Sequence, residues 1–192
     1  EVLRVDVASS ASVSGLSWQL DGEKIDLALY AAGVIDRGDA RSPPTQAVFD
    51  RVLHTNVLGL MQALPQVMPM VEEAGGVFAA LSSSMSQIGP VPGSNSWLYR
   101  ASKAALNMAL RSARFDYPRA TLVALDPGWV RTDMGGPGAP LDVATSVAGL
   151  RAVLAGLTPD DNGALIPERM RLTVKSLVAL INITCKYAGI LE

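Results

Sequence analysis

The chain has 192 residues, 49% of them hydrophobic and 18% charged, a balance that can bury a core and excludes a disordered polymer. Its formal net charge of -2 offers no cationic footprint for nucleic acid or an acidic membrane surface. One cysteine, Cys185, excludes an internal disulfide and fits a reducing, cytoplasmic setting, while one histidine, His54, leaves little from which to build a zinc site.

Residues 1–30 lack the charged-then-apolar order of a secretory leader. The longest apolar run near the C-terminus, residues 176–185, reaches only about half a membrane span. Short β-branched runs alternate with longer helical segments, which predicts an α/β fold with a parallel sheet covered on both faces. Residues 2–7 read as a strand. Ser10 or Ser12 is placed to cap a helix running to about Leu20, with Val13, Leu16 and Leu20 on one stripe. A second strand over residues 25–30 enters Ala31-Ala32-Gly33. After a polar stretch, Val48, Val52, Val57 and Met61 mark a long helix that Pro65 and Pro69 are expected to disturb or end. Residues 77–81 form a third strand and open onto Ser82-Ser83-Ser84. The next helix runs to about Phe115, with Ala101, Ala104, Ala105 and Ala109 allowing close packing. Residues 121–125 form a fourth strand ending at Asp126-Pro127-Gly128, and a last helix covers about 141–154. Trp18 and Trp97 read most simply as buried area.

Chemistry concentrates at the carboxyl ends of these strands, where open α/β sheets carry their sites. Asp6, Ala32-Gly33, Ser82 to Ser84 and Pro127-Gly128 all fall there. The adjoining helix carries Tyr99 and Lys103, four apart and so on one face. A phenol has a pKa near 10 and needs about 2 to 3 units of help to exchange protons near neutrality. A unit charge at about 4 Å in a partly shielded site supplies that much. Taken alone, the pair is better read as an ordinary amphipathic helix with a snorkelling lysine.

The motifs in order resemble the short-chain dehydrogenase/reductase family. They are Asp6-Val7, Ala31-Ala32-Gly33-Val34, Thr55-Asn56-Val57-Leu58-Gly59, Ser82-Ser83, Tyr99 to Lys103, and Pro127-Gly128-Trp129-Val130-Arg131-Thr132. Tyr99 to Leu110 and Asp126 to Pro140 are most similar to its C-factor-type bacterial members. The resemblance implies a Rossmann-like doubly wound parallel sheet, a partial domain over 1–162 and a divergent tail over 163–192. It implies hydride transfer between NAD or NADP and a small carbonyl compound or secondary alcohol. Tyr99 would be the general acid/base, and Lys103 would lower its pKa and hold the nicotinamide ribose. Ser83 would donate to the oxyanion, with Ser82 and Ser84 as alternatives, and Asn56 would hold a water leading to Lys103. Asp6 and Val7 would border the adenine. Ala32, Gly33, Pro127, Gly128, Val130 and Thr132, with Tyr99 and Lys103, would line the cofactor. No metal, nucleic acid or membrane is implied, and the helices over 45–64 and 97–115 would pair in a homo-oligomer.

The sequence departs from the family pattern in three places. The family's Gly-rich turn would lie upstream of Glu1, so a truncated domain is expected, and Gly89-Pro90-Val91-Pro92-Gly93 is no substitute because proline lacks an amide donor. Tyr30 and Ala31 stand where the family has two asparagines. The tail beyond Gly163 does not resemble the closing strand and reads as a short terminal helix or a divergent end. A truncated or non-catalytic protein with a signalling or interaction role is the alternative.

Overall fold

The alternation of residues along the central strands decides the layering. In the computed structural model, which describes residues 2–89 and 91–167 and the backbone of 181–183, β1 (Leu27–Tyr30), β2 (Val77–Leu81), β3 (Thr121–Asp126), β4 (Leu165–Pro167) and β5 (Ile181–Ile183) form one parallel sheet in the order β4-β3-β2-β1-β5. Side chains of a strand point alternately to its two faces. Ala28, Tyr30, Phe78, Ala80, Leu122 and Ala124 accordingly build a larger core, and Leu27, Ala79, Val123 and Leu125 a smaller one.

The larger core is closed by α1 (Ser10–Val13), α2 (Leu16–Gln19), α4 (Gly59–Ala74) and α5 (Trp97–Ala113). The smaller core is closed by α6 (Val143–Ala155) through Leu150 and Val153. Helices therefore lie on both faces, as the alternating pattern predicts. Ahead of α4 runs α3 (Gln46–Leu53), capped by the Thr45 hydroxyl, and a π-helical turn, His54–Leu58, joins the two.

Four boundaries differ from expectation, each for a local reason. Residues 2–6 pair with no described strand; the Asp6 amide donates to the Ser12 hydroxyl at 2.9 Å and its carbonyl accepts from the Ser9 amide at 3.0 Å. Those bonds turn the chain directly into α1. Its cap is Ser9, not Ser10 or Ser12, and the helix breaks at Ser14-Gly15 to restart as α2. Pro65 and Pro69 do not end α4, which continues to a left-handed cap at Gly75. Both prolines lie on the exposed face one turn apart, where water can meet the carbonyls left unpaired, while Leu60, Ala63, Leu64, Val67, Met68 and Val71 anchor the opposite face. Trp18 is 87% exposed and so supplies no core.

The tail also contributes to the sheet. Leu165–Pro167 runs parallel to β3, with Ala124 opposite Leu165, and Ile181–Ile183 runs parallel to β1. The expected terminal helix otherwise lies outside the described residues. Among these, no helix is long and apolar enough to cross a membrane.

Candidate active site

The loops after β1, β2 and β3 and the first turns of α5 line an open-mouthed cavity of about 640 Å³. Its lining brings Gly33, Ser83, Tyr99, Lys103, Pro127, Gly128, Val130 and Thr132 together. Asp6, Val7, Ala32 and Asn56 are outside that lining: Val7 and Ala32 are core residues, and Asn56 stands behind the wall.

Tyr99 and Lys103 are both buried near the start of α5, 6% and 3% exposed. The lysine Nζ lies 5.8 Å from the tyrosine ring centroid and donates to the Leu81 carbonyl at 2.8 Å, at the end of β2. Burial pushes the Tyr99 phenol up to about 12 and pulls the Lys103 amine down to about 8, because each charged form loses water. At Tyr99 a hydrogen bond with the Ser83 side chain opposes burial, while the negative charge of Asp126 reinforces it. The lowering of the phenol expected from Lys103 is not seen. Desolvation outweighs it, and the stabilising partner of the phenol is a hydroxyl.

Among the three serines, hydrogen bonding distinguishes the roles. Ser82 is buried and donates to Asn107 Oδ1 at 2.6 Å. Asn107 Nδ2 in turn donates to the Ser86 hydroxyl at 2.7 Å, and Ser86 donates to the Ser83 carbonyl at 2.5 Å. The Ser83 hydroxyl caps the short turn Ser84–Ser86 by accepting from the Met85 amide at 3.1 Å. It thus has a fixed position beside Tyr99. Asn107 was not anticipated, although it continues the Tyr99, Lys103 stripe by another four residues.

Asn56 sits in the π-turn and is fully buried. Its Oδ1 accepts from the Val34 amide at 2.8 Å, and its Nδ2 donates to the Val34 carbonyl at 2.8 Å and the Ser102 hydroxyl at 2.9 Å. Ser102 donates onward to the Tyr99 carbonyl at 2.8 Å. One amide side chain therefore ties the loop after β1 to the helix bearing Tyr99. Gly33 lies between them, and a Cβ there would crowd Lys103 Nζ at 3.2 Å while meeting Asn56 Oδ1 at an ordinary 3.5 Å.

On the opposite wall, Asp126 Oδ1 accepts from the Gly128 amide at 3.1 Å, and Gly128 has φ 76°, a left-handed conformation that suits glycine. The Ser146 hydroxyl holds the Pro127 carbonyl at 2.7 Å. Thr132 Oγ1 accepts from the Gly135 amide at 3.1 Å, folding the next residues back so that Trp129, Met134 and Gly135 complete the wall. Trp129 lines this cavity, whereas Trp97 does not and, at 39% exposed, is not the buried residue expected. Its Nε1 donates to the Gly135 carbonyl at 2.8 Å, a tertiary contact that no spacing rule announces.

The strand ends of a parallel sheet thus bring a buried Tyr and Lys on one helix together with a serine at one cavity. Residues 1–139 match the short chain dehydrogenase family, and the chain belongs to it. Every candidate site residue falls within that match. C-signal of Myxococcus xanthus is 35% identical over 142 residues, covering 72% of this chain and 86% of that protein. Cis-2,3-dihydrobiphenyl-2,3-diol dehydrogenase of Metapseudomonas furukawaii is 30% identical over 119 residues, but the chain spans only 42% of its length. Among solved structures, the NADPH-bound carbonyl reductase from chicken fatty liver superposes with a TM-score of 0.79 at 27% identity, over 88% of this chain and 74% of that one. The carbonyl reductase Sniffer of Drosophila melanogaster superposes with a TM-score of 0.81 at 26% identity, over 88% of this chain and 75% of that one.

Proposed function

We propose that this protein reduces a small carbonyl compound, or oxidises the corresponding secondary alcohol, with Tyr99 as general acid/base and NAD or NADP as hydride carrier. The observation that carries this reading is the convergence of the Tyr99 and Ser83 hydroxyls and Lys103 Nζ on one open-mouthed, largely apolar cavity. The carbonyl reductase neighbours, one bound to NADPH, support the same reaction class.

The residues fit a nicotinamide ring and its ribose. Gly33 leaves room beside Lys103, while the Pro127-Gly128 turn and Thr132 face the same space. When bound, the nicotinamide supplies or accepts the hydride. Tyr99 Oη donates its proton to the carbonyl oxygen during reduction, and Ser83 Oγ donates a hydrogen bond to that oxygen as charge develops. Lys103 holds the ribose hydroxyls and restores the proton. Asn56, with its side chain committed to Val34 and Ser102, fixes the wall behind Lys103. Asp6 and Val7 are read as an adenine border outside this cavity.

Nicotinamide absorbance with a panel of aldehydes, ketones and secondary alcohols tests the reading. Tyr99→Phe lowers turnover by about a thousandfold or more while cofactor affinity stays within about twofold. Turnover unchanged in that variant would sink the mechanism.

A second reading is favoured by the coverage of C-signal, 86% of its length against 42% of the diol dehydrogenase. In it the same sheet serves a signalling or interaction role without catalysis. Calorimetric titration discriminates the two: micromolar affinity for NAD or NADP contradicts the non-catalytic reading. We also propose a cytoplasmic homo-oligomer that pairs through the outer faces of α4 and α5, where Leu60, Met61, Leu64, Ala105, Met108 and Ala109 line an apolar groove.

A further inference from the structure

The charges around the cavity are unevenly distributed. Its lining contains two cationic side chains, Lys103 and Arg37, and no carboxylate. Lys103 is buried against the Leu81 carbonyl at the inner end. Arg37 comes from the loop after β1 and is exposed. Its Nη2 donates to the Met134 carbonyl at 2.7 Å, so the guanidinium is fastened across the mouth to the loop after β3. Among the described residues Arg37 forms no ion pair, and the adjacent Asp36 Oδ2 accepts from the Gly38 amide at 3.2 Å.

A guanidinium has five donors in a planar fork, and one contact with a carbonyl leaves most of them for an incoming oxyanion. Such a fork, already tethered, loses less side-chain freedom on binding than a free arginine. Much of the remaining lining is apolar, with Ile35, Met85, Trp129, Val130 and Val147 among others, beside hydroxyls such as those of Ser83 and Thr132. That combination selects a molecule with an apolar body and one negative end. A single arginine matches a carboxylate better than a phosphate dianion, which calls for more than one cation.

We propose that Arg37 forms a carboxylate subsite, and that the substrate class of Tyr99 is oxo acids or their hydroxy acid counterparts. The inference rests on the reductase reading above and specifies its substrate. In reduction, the carbonyl carbon gains the hydride from the nicotinamide and its oxygen gains the Tyr99 proton. The carboxylate stays ionised on Arg37 and takes no part in the electron bookkeeping.

The test compares pyruvate, 4-oxopentanoate, 5-oxohexanoate and 4-formylbenzoate with their methyl esters, using the protein and its Arg37→Gln and Arg37→Lys variants. At least one acid exceeds its ester in kcat/KM by about tenfold or more. Arg37→Gln removes that preference through KM, and Arg37→Lys restores part of it. Equal losses for acid and ester, or no acid preference in the parent protein, overturn the proposal. A matching loss of NADPH affinity in Arg37→Gln also overturns it, because the arginine then serves the cofactor. If neither acids nor esters turn over, the reductase reading fails separately. Ligand-observed NMR titration with 5-oxohexanoate and 4-formylbenzoate then decides the subsite: binding weakened about tenfold by Arg37→Gln sustains it, and no difference ends it.

Discussion

Tyr99 shows how a single side chain is set by competing effects of unequal size. Burial dominates and raises the phenol to about 12, the bond with Ser83 pulls the other way, and Asp126 adds a smaller upward push. The neutral phenol therefore persists through the neutral range, where it is ready to donate a proton to a carbonyl. Carbonyl reduction should be nearly flat around neutrality. Alcohol oxidation, which needs the phenolate, should rise with pH toward the alkaline limit. Asp126→Asn removes the repelling charge, so the oxidation limb should move to lower pH; steady-state rates across pH 7 to 11 check this, and an unmoved limb would refute the coupling. Lys103 acts on stability. Its pKa falls from 10.5 to about 8 on folding, so between those values the unfolded chain holds a proton that the folded chain has released, and stability rises with pH across that window. Tyr99 works oppositely between 10.0 and about 12, where the folded chain keeps a proton that the unfolded chain has lost. Lys103→Met should flatten the rise in urea midpoint from about pH 8 to 10; the same slope in the variant would contradict the assignment. That Tyr99, Lys103 and the serines after β2 share one region was legible in the sequence, because helical spacing and strand ends bring them together, while the choice of Ser83 among those serines rested on the family resemblance. The sign of the Tyr99 shift was not, because it depends on how much water the surrounding loops exclude.

At the level of elements, the π-turn between α3 and α4 places Asn56 where no regular helix register is needed to reach both Val34 and Ser102. Asn56→Ala deprives the Val34 amide and carbonyl of their partners and should cost about 2 to 4 kcal/mol in chemical denaturation. A loss below about 0.5 kcal/mol would mean water replaces the side chain without strain. Asn107 has a comparable task on the other side of α5, joining the Ser82 and Ser86 hydroxyls that frame Ser83. Asn107→Leu should lower kcat more than it raises KM, since it loosens a group needed mainly as charge develops on the substrate oxygen. Strand β2 and helix α5 were readable because their apolar periods run unbroken to clear stops. The π-turn was not, because a five-residue widening hardly alters apolar spacing. The prolines of α4 misled for a related reason: their effect depends on which face they occupy, and that is settled only when the helix packs.

For the whole molecule, apolar strand runs separated by helical segments made the α/β class visible in the chain alone, whereas the strand order, with β5 beside β1 at the edge opposite β4, was not. Nor was the closure of the cavity. It depends on Arg37 reaching Met134, 97 residues away, and on Trp129 folding over Gly135. The outer groove between α4 and α5 is lined by Leu60, Met61, Leu64, Met108 and Ala109, with Met61 and Met108 52% and 63% exposed. Light scattering should find an oligomer that Met108→Glu shifts toward monomer; a monomeric parent protein would remove the proposed interface. The first described residues present a different case. Val5 and Val7 are buried in the larger core without belonging to the ladder, and Gly59 admits Val7 because a Cβ there would meet the Val7 carbonyl oxygen at 2.8 Å. Shape fit and backbone bonding are thus separated along one short segment. Deuterium exchange should consequently label the Val5 amide long before those of β2, while the methyl resonances of Val5 and Val7 remain shifted by the packed core around them.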